Sequence, residues 1–176
     1  GRWVPPEDVA KRNDGKKKVA GADEGEEVKE ESEIEKDLGL KLIKRRSKHF
    51  YFQGVFTEAE MKELIKTAEG SRAAFLETFE LGDEECNEPI DGLYLKTKEE
   101  HIRFIDSAPG MDEAKRRSYR DTGGFMTYSP RFTEAFQGGG DFHYMKDVVC
   151  HDVVHQCFSM WAGVDANAWL DEGLCY

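Results

Sequence analysis

The stretch from about Phe142 to Trp161 constrains this chain more than any other. Apolar residues recur there at helical spacing and lie on most sides of the helix. Such a helix must be covered on most sides, so it belongs at the centre of a domain, with other elements packed around it. Gly163 fits its C-terminal end. A second helical pattern starts near Ala168 and runs to the last residue, Tyr176.

The covering elements are legible upstream. Lys48 to Gly54 is rich in aromatics and reads as a strand ending at glycine. Thr57 with Glu60 three residues later forms a capping box. Met61, Leu64, Ile65, Ala68, Phe75, Leu76 and Phe79 then keep helical spacing to about Leu81, with Gly70 a soft spot inside. Asp83 to Asp91 reads as a loop, Leu93 to Lys96 as a short strand and Lys98 to Ser107 as a short helix. Pro109-Gly110 breaks that helix, and Met111 to Arg120 is a charged helical piece. Gly123 to Tyr128 reads as a strand stopped by Pro130, followed by a flexible Gly138-Gly139-Gly140 loop. Strands and a helix followed by a buried helix indicate an α+β domain, a small antiparallel or mixed sheet packed on helices.

Charge divides the chain. Residues 1–46 hold 12 basic and 12 acidic residues, so the whole net charge of −11 falls on residues 47–176. An acidic domain lacks the clustered Lys and Arg that displace counterions from a phosphate backbone, which excludes nucleic acid as a partner. With Trp3 its single aromatic, segment 1–46 has little to bury and is expected to be a charged linker or stalk, disordered or partly helical. The domain proper is then expected at 47–176. No segment is long and apolar enough to span a bilayer. The chain starts at Gly1 rather than Met and ends inside a helical pattern, so it reads as a piece of a longer protein.

Cys86, Cys150, Cys157 and Cys175 form no CxxC pair, and Cys150 and Cys157 would lie about 10 Å apart on one helix, too far for a disulfide. They read as small buried hydrophobes, which leaves the compartment open.

His151 and His155 carry the chemistry. Four residues apart on a helix, their rings lie about 40° apart around the axis and ~6 Å along it, so both can reach one metal ion. Zinc suits them, since it accepts imidazole nitrogen with little geometric demand of its own. The bland alternative is a pair of core histidines bonded to backbone groups. Seventeen residues on, Trp169-Leu170-Asp171-Glu172-Gly173 offers a carboxylate from a second helix. Two imidazoles and a carboxylate leave a fourth position open for water, which is the catalytic form of a zinc site.

His151-Asp152-Val153-Val154-His155 followed by Trp169-Leu170-Asp171-Glu172-Gly173 resembles the gluzincin metallopeptidases, whose signature is HExxH and then WLxEG. Gln156 and the Gly124-Phe125 strand add to the likeness, which covers roughly residues 47–176. The resemblance implies a zincin fold and zinc-dependent hydrolysis of a peptide or protein substrate. It also implies His151, His155 and Glu172 as ligands, Asp152 as general base, and an edge strand that receives substrate. It tilts the compartment towards extracytoplasmic and implies a C-terminal subdomain that this sequence does not include. Asp152 departs from the family glutamate: its carboxylate retreats by roughly 1.5 Å, a misplacement that can cost about 10²-fold in rate. The connection from His155 to Glu172 is also short for the family.

Two other readings follow from the same residues. A peptidase-like domain that has lost turnover could hold zinc for stability or bind peptides. His151-Asp152 also spells the dipeptide of HD-type metal-dependent phosphohydrolases, in which both residues ligate metal. Asp171, Asp147 and Asp165 are candidates to hold a ligand imidazole by its far nitrogen. His49, His101 and His143 are expected to be surface or core residues, and Cys150 points about 100° away from His151.

Overall fold

A computed structural model of the chain describes residues 23–163 together with Gly173 and Cys175. Six strands form one mixed sheet in the order β1-β2-β3-β4-β6-β5. They are β1 (Glu26–Glu27), β2 (Ile43–Arg46), β3 (Phe50–Gly54), β4 (Ile90–Leu95), β5 (Gly124–Tyr128) and β6 (Arg131–Phe136). Within residues 23–163 there are five helices, α1 (Glu33–Leu38), α2 (Glu58–Phe79), α3 (Lys98–Ser107), α4 (Glu113–Arg120) and α5 (Phe142–Ala162), with a 3₁₀ turn at Asp83–Cys86. The expected α+β class is met. No helix among the described residues is long and apolar enough to cross a membrane.

β3, β4 and β6 run parallel, while β1, β2 and β5 are antiparallel to their neighbours. A parallel pair needs a crossover, and α2 supplies it between β3 and β4. The capping box at Thr57 is formed, and α2 runs through Gly70 without a break. Strand alternation sends side chains to two faces of the sheet. Phe50, Phe52, Tyr94 and Ala135 pack with α2 and α5 in the larger core. Leu93, Leu95, Phe132 and Phe136 meet Leu38, Leu42 and Phe104 from the α1 and α3 side. The Asp83 to Asp91 loop contains the 3₁₀ turn, from which Asp83 bonds Lys48 and Arg72.

The charged segment corrects the expectation made for it. Residues 24–46 are not a linker: β1, α1 and β2 belong to the sheet and its cover, and the domain begins before residue 47. Ser32 caps α1 with a full capping box. Leu38 and Leu42 are 2 % exposed. The charges themselves are buried in pairs. Glu35 bonds the buried Lys44 ammonium and accepts the Leu42 N–H at 2.8 Å and the Ser32 N–H at 3.0 Å. Burial would raise the Glu35 pKa, but these donors outweigh it and hold the carboxyl below its usual range. Arg45 reaches Glu58 and the carbonyls of Glu24 and Gly25. The part of the expected linker before residue 23 lies outside the described residues.

Candidate metal centre

The site is built on α5. Asp141 caps it, accepting the Tyr144 N–H at 3.1 Å, and Gly163 follows its last turn. Three stripes of this helix do different work. Val149, Val153 and Cys157 are at most 1 % exposed and pack in the core shared with α2.

A polar stripe, Asp152, Gln156 and Ser159, sits at i, i+4 and i+7 and faces the sheet. β6 meets it with alternate residues. Thr133 donates its hydroxyl to Asp152 Oδ2. Arg131 donates to Gln156 Oε1 at 3.1 Å and Ser159 Oγ at 2.7 Å, while its Nε binds Glu88 at 2.6 Å. Gln156 Nε2 completes the joint by donating to the Thr127 carbonyl of β5 at 3.0 Å.

The third stripe, Tyr144, Val148, His151 and His155, sits at i, i+4, i+7 and i+11 and lines an open cleft of ≈ 370 Å³. The opposite wall is β5 with Gly123 before it, and Asp152 also contributes. A side chain at Gly124 would start 2.2 Å from the Glu134 carbonyl, so only glycine lets β5 approach β6 there.

His151 Nε2 and His155 Nε2 lie 3.0 Å apart, with the rings 76° from coplanar. At a zinc–nitrogen distance of about 2.05 Å, two nitrogens 3.0 Å apart subtend about 94° at a shared ion, and opening the pair to about 3.3 Å would reach the tetrahedral angle. The pair fits a metal. Cys175 completes a group with them: one ligand atom from each of the three lies within 4.8 Å of the others. Glu172, the expected third ligand, lies outside the described residues, as do Trp169, Leu170, Asp165 and Asp171. Asp147 is exposed on the rim of an adjoining opening that His151 and Cys175 share.

Asp152 is 8 % exposed. Burial raises its pKa to about 7 against the opposing pull of the Thr133 hydrogen bond and of His155. Asp152 lines the cleft with both histidines but is not in the His151, His155 and Cys175 group.

The other histidines behave as structural residues. His49 Nδ1 meets Glu69 at 2.8 Å. His101, fully buried, places Nδ1 2.8 Å from Glu134 and Nε2 2.9 Å from the Tyr119 carbonyl. Two acceptors face that ring. Burial works against its charge, yet the bond to Glu134 prevails and raises the His101 pKa. Burial raises the Glu134 pKa against the opposing pull of the His101 hydrogen bond and charge. His143 is exposed.

Cys86 and Cys157 are buried, as expected of small hydrophobes, whereas Cys150 and Cys175 are only partly so. Cys150 Sγ accepts from Ser71 Oγ on α2 at 3.0 Å; it lines the opening shared by His151 and Cys175 but is not in their donor group. Sequence reasoning missed β6 altogether, and with it Thr133, Arg131 and Glu134. Cys175 was passed over because one cysteine carries no spacing signal. The chain matches no protein-family model, no curated protein and no solved structure.

Proposed function

We propose that this cleft is the centre of a zinc-dependent peptidase of gluzincin type, with a peptide or protein as substrate. The carrying observation is the 3.0 Å approach of the two Nε2 atoms at the wall of a cleft whose other wall is a sheet edge. His151 and His155 would hold zinc, with Glu172 as the further ligand that the sequence motif implies. Zinc so bound would polarise a scissile carbonyl and lower the pKa of its water. The sheet, with parallel β3, β4 and β6 and an antiparallel edge beside a buried helix, is compatible with a zincin arrangement.

The chain's own groups supply the rest. β5 ends the sheet, so an extended peptide can add to its outer backbone edge, with main-chain hydrogen bonds setting the register. Tyr144 and Val148 flank the pair and shape the apolar side of the cleft. Asp152 would take the water proton on Oδ1, because Oδ2 already accepts from Thr133.

That same bond favours a second reading, a peptidase-like module that binds peptide without turnover. A carboxylate held against β6 and one methylene short of the family residue has little freedom to reach out. Cleavage of an unstructured protein, followed alongside zinc content, separates the two. For the peptidase, the wild type cleaves and Asp152→Asn loses cleavage at unchanged zinc content. If neither the wild type, nor Asp152→Glu, nor a Cys175→Ser variant cleaves at full zinc occupancy, the binding module stands instead. Absence of zinc from wild-type protein prepared without chelator defeats both.

A further inference from the structure

We propose that Cys175 is a ligand of the metal held by His151 and His155, its thiolate taking the position that a water would need. The inference rests on the metal reading above and adds to it a sulfur donor and a closed resting state. Cys175 Sγ and one nitrogen of each histidine are mutually within 4.8 Å. The sulfur also lies 3.6 Å from the His151 carbonyl, which pins it to the turn of α5 that carries the first imidazole. At a zinc–sulfur distance of about 2.3 Å, tetrahedral coordination asks for sulfur and nitrogen about 3.5 Å apart. A shift of at most about 1.3 Å closes the difference, divided between the half-buried Cys175 side chain and the two imidazoles.

Coordination replaces the thiol proton with the ion, and the proton leaves to solvent. Two imidazoles and a thiolate prefer zinc or cobalt(II) to magnesium, calcium or manganese. If Glu172 also ligates, the site has four protein donors and no open position, as in structural zinc sites. Losing the sulfur, by alkylation or by oxidation with a peroxide, would then open a position for water.

Cobalt(II) loaded into the full chain tests this. Wild type and Cys150→Ser should both show sulfur-to-cobalt charge-transfer absorption in the near ultraviolet. Cys175→Ser should lose that band and bind cobalt about tenfold or more weakly, since even outer partners of a ligand are worth 10–100-fold. In the unmodified protein, zinc should slow iodoacetamide alkylation of Cys175 at least about tenfold, read by peptide mass spectrometry, and leave Cys150 unchanged. This arm decides the matter if the serine variant does not fold. Bound cobalt without a sulfur band, a band that survives Cys175→Ser, or alkylation of Cys175 indifferent to zinc each overturns the inference and leaves the histidine site standing. Failure of the wild type to bind either metal removes the metal reading itself, and this inference with it.

Discussion

Two stretches of this protein are rich in ionisable side chains, and they treat them in opposite ways. In residues 24–46, Glu35, Lys44 and Arg45 are each under a tenth exposed and spend their charge on one another and on backbone groups. On α5, His151 and His155 turn their ring nitrogens towards each other at an open cleft. The first arrangement closes a fold. The second gathers donor atoms where an ion can enter. Ionisable groups that satisfy neighbours are architecture, and those that converge beside solvent are candidates for chemistry.

The widest gap between the two regions should appear on removing Glu35. Glu35→Ala strips the capping box, the Leu42 N–H and the Lys44 ammonium of their acceptor, and stranding one charge of a buried pair costs about 3–5 kcal/mol. Urea unfolding reads it directly. A loss under about 1 kcal/mol would put these charges with ordinary surface pairs and erase the contrast.

On the other side, zinc at about 100 times its dissociation constant should raise the unfolding free energy of the wild type by about 2.7 kcal/mol. His151→Ala should abolish that increment and change metal-free stability far less. Thermal melts with and without zinc test both halves. If the variant retains the increment, His151 belongs with the structural histidines.

Thr133→Val sharpens the comparison, because it touches a structural bond that ends on the cleft residue Asp152. The isostere keeps the packing of a buried side chain and removes the hydroxyl donor, at a cost of about 1–3 kcal/mol by denaturant titration. A neutral result would mean that Asp152 reorients to another partner.

The smallest effect belongs to Asp83. Hydrogen bonds from Lys48 and Arg72 hold its carboxyl down to about 2 from an ordinary 3.8. A depressed acid stabilises the fold above its unfolded pKa, and that contribution fades as pH falls from about 4 through about 2. The side chain is 55 % exposed, so screening keeps the contribution under about 1 kcal/mol. Asp83→Asn should flatten the acid limb of the stability curve slightly and leave stability at pH 7 nearly unchanged. A large loss at neutral pH would show Asp83 to be a buried-type anchor like Glu35.

The same contrast explains what could be read in the chain beforehand. α2, α3 and α5 follow from apolar spacing and caps, and β3, β4 and β5 from aromatic or β-branched runs bounded by glycine. The α1 region stayed hidden because its interior is charged. Glu35 and Lys44 look like solvated residues until β2 brings them together, although Ser32 and Glu35 already spelled a capping box. β6 stayed hidden for a related reason. Arg131 and Thr133 point at α5 and Glu134 at His101, so polar residues occupy both faces of the strand and no alternation survives. The histidine pair was legible because helical geometry alone aligns residues four apart. Cys175 depends on a chain return that no local pattern encodes.

Two hydrogen bonds of one amide set a tolerance. His151 and His155 ride on the same helix, so rolling α5 about its axis leaves their separation unchanged. A roll does move both relative to any donor from another segment. With ring nitrogens about 6.5 Å from the axis, a roll of 10° carries them about 1 Å, whereas metal–ligand distances accept about 0.2 Å, the equivalent of about 2°. The Gln156 amide, bonded to Thr127 on β5 and to Arg131 on β6, acts as the detent that holds α5 at one angle. Loosening it would move His151 and His155 against any third donor while leaving all of these side chains in the chain.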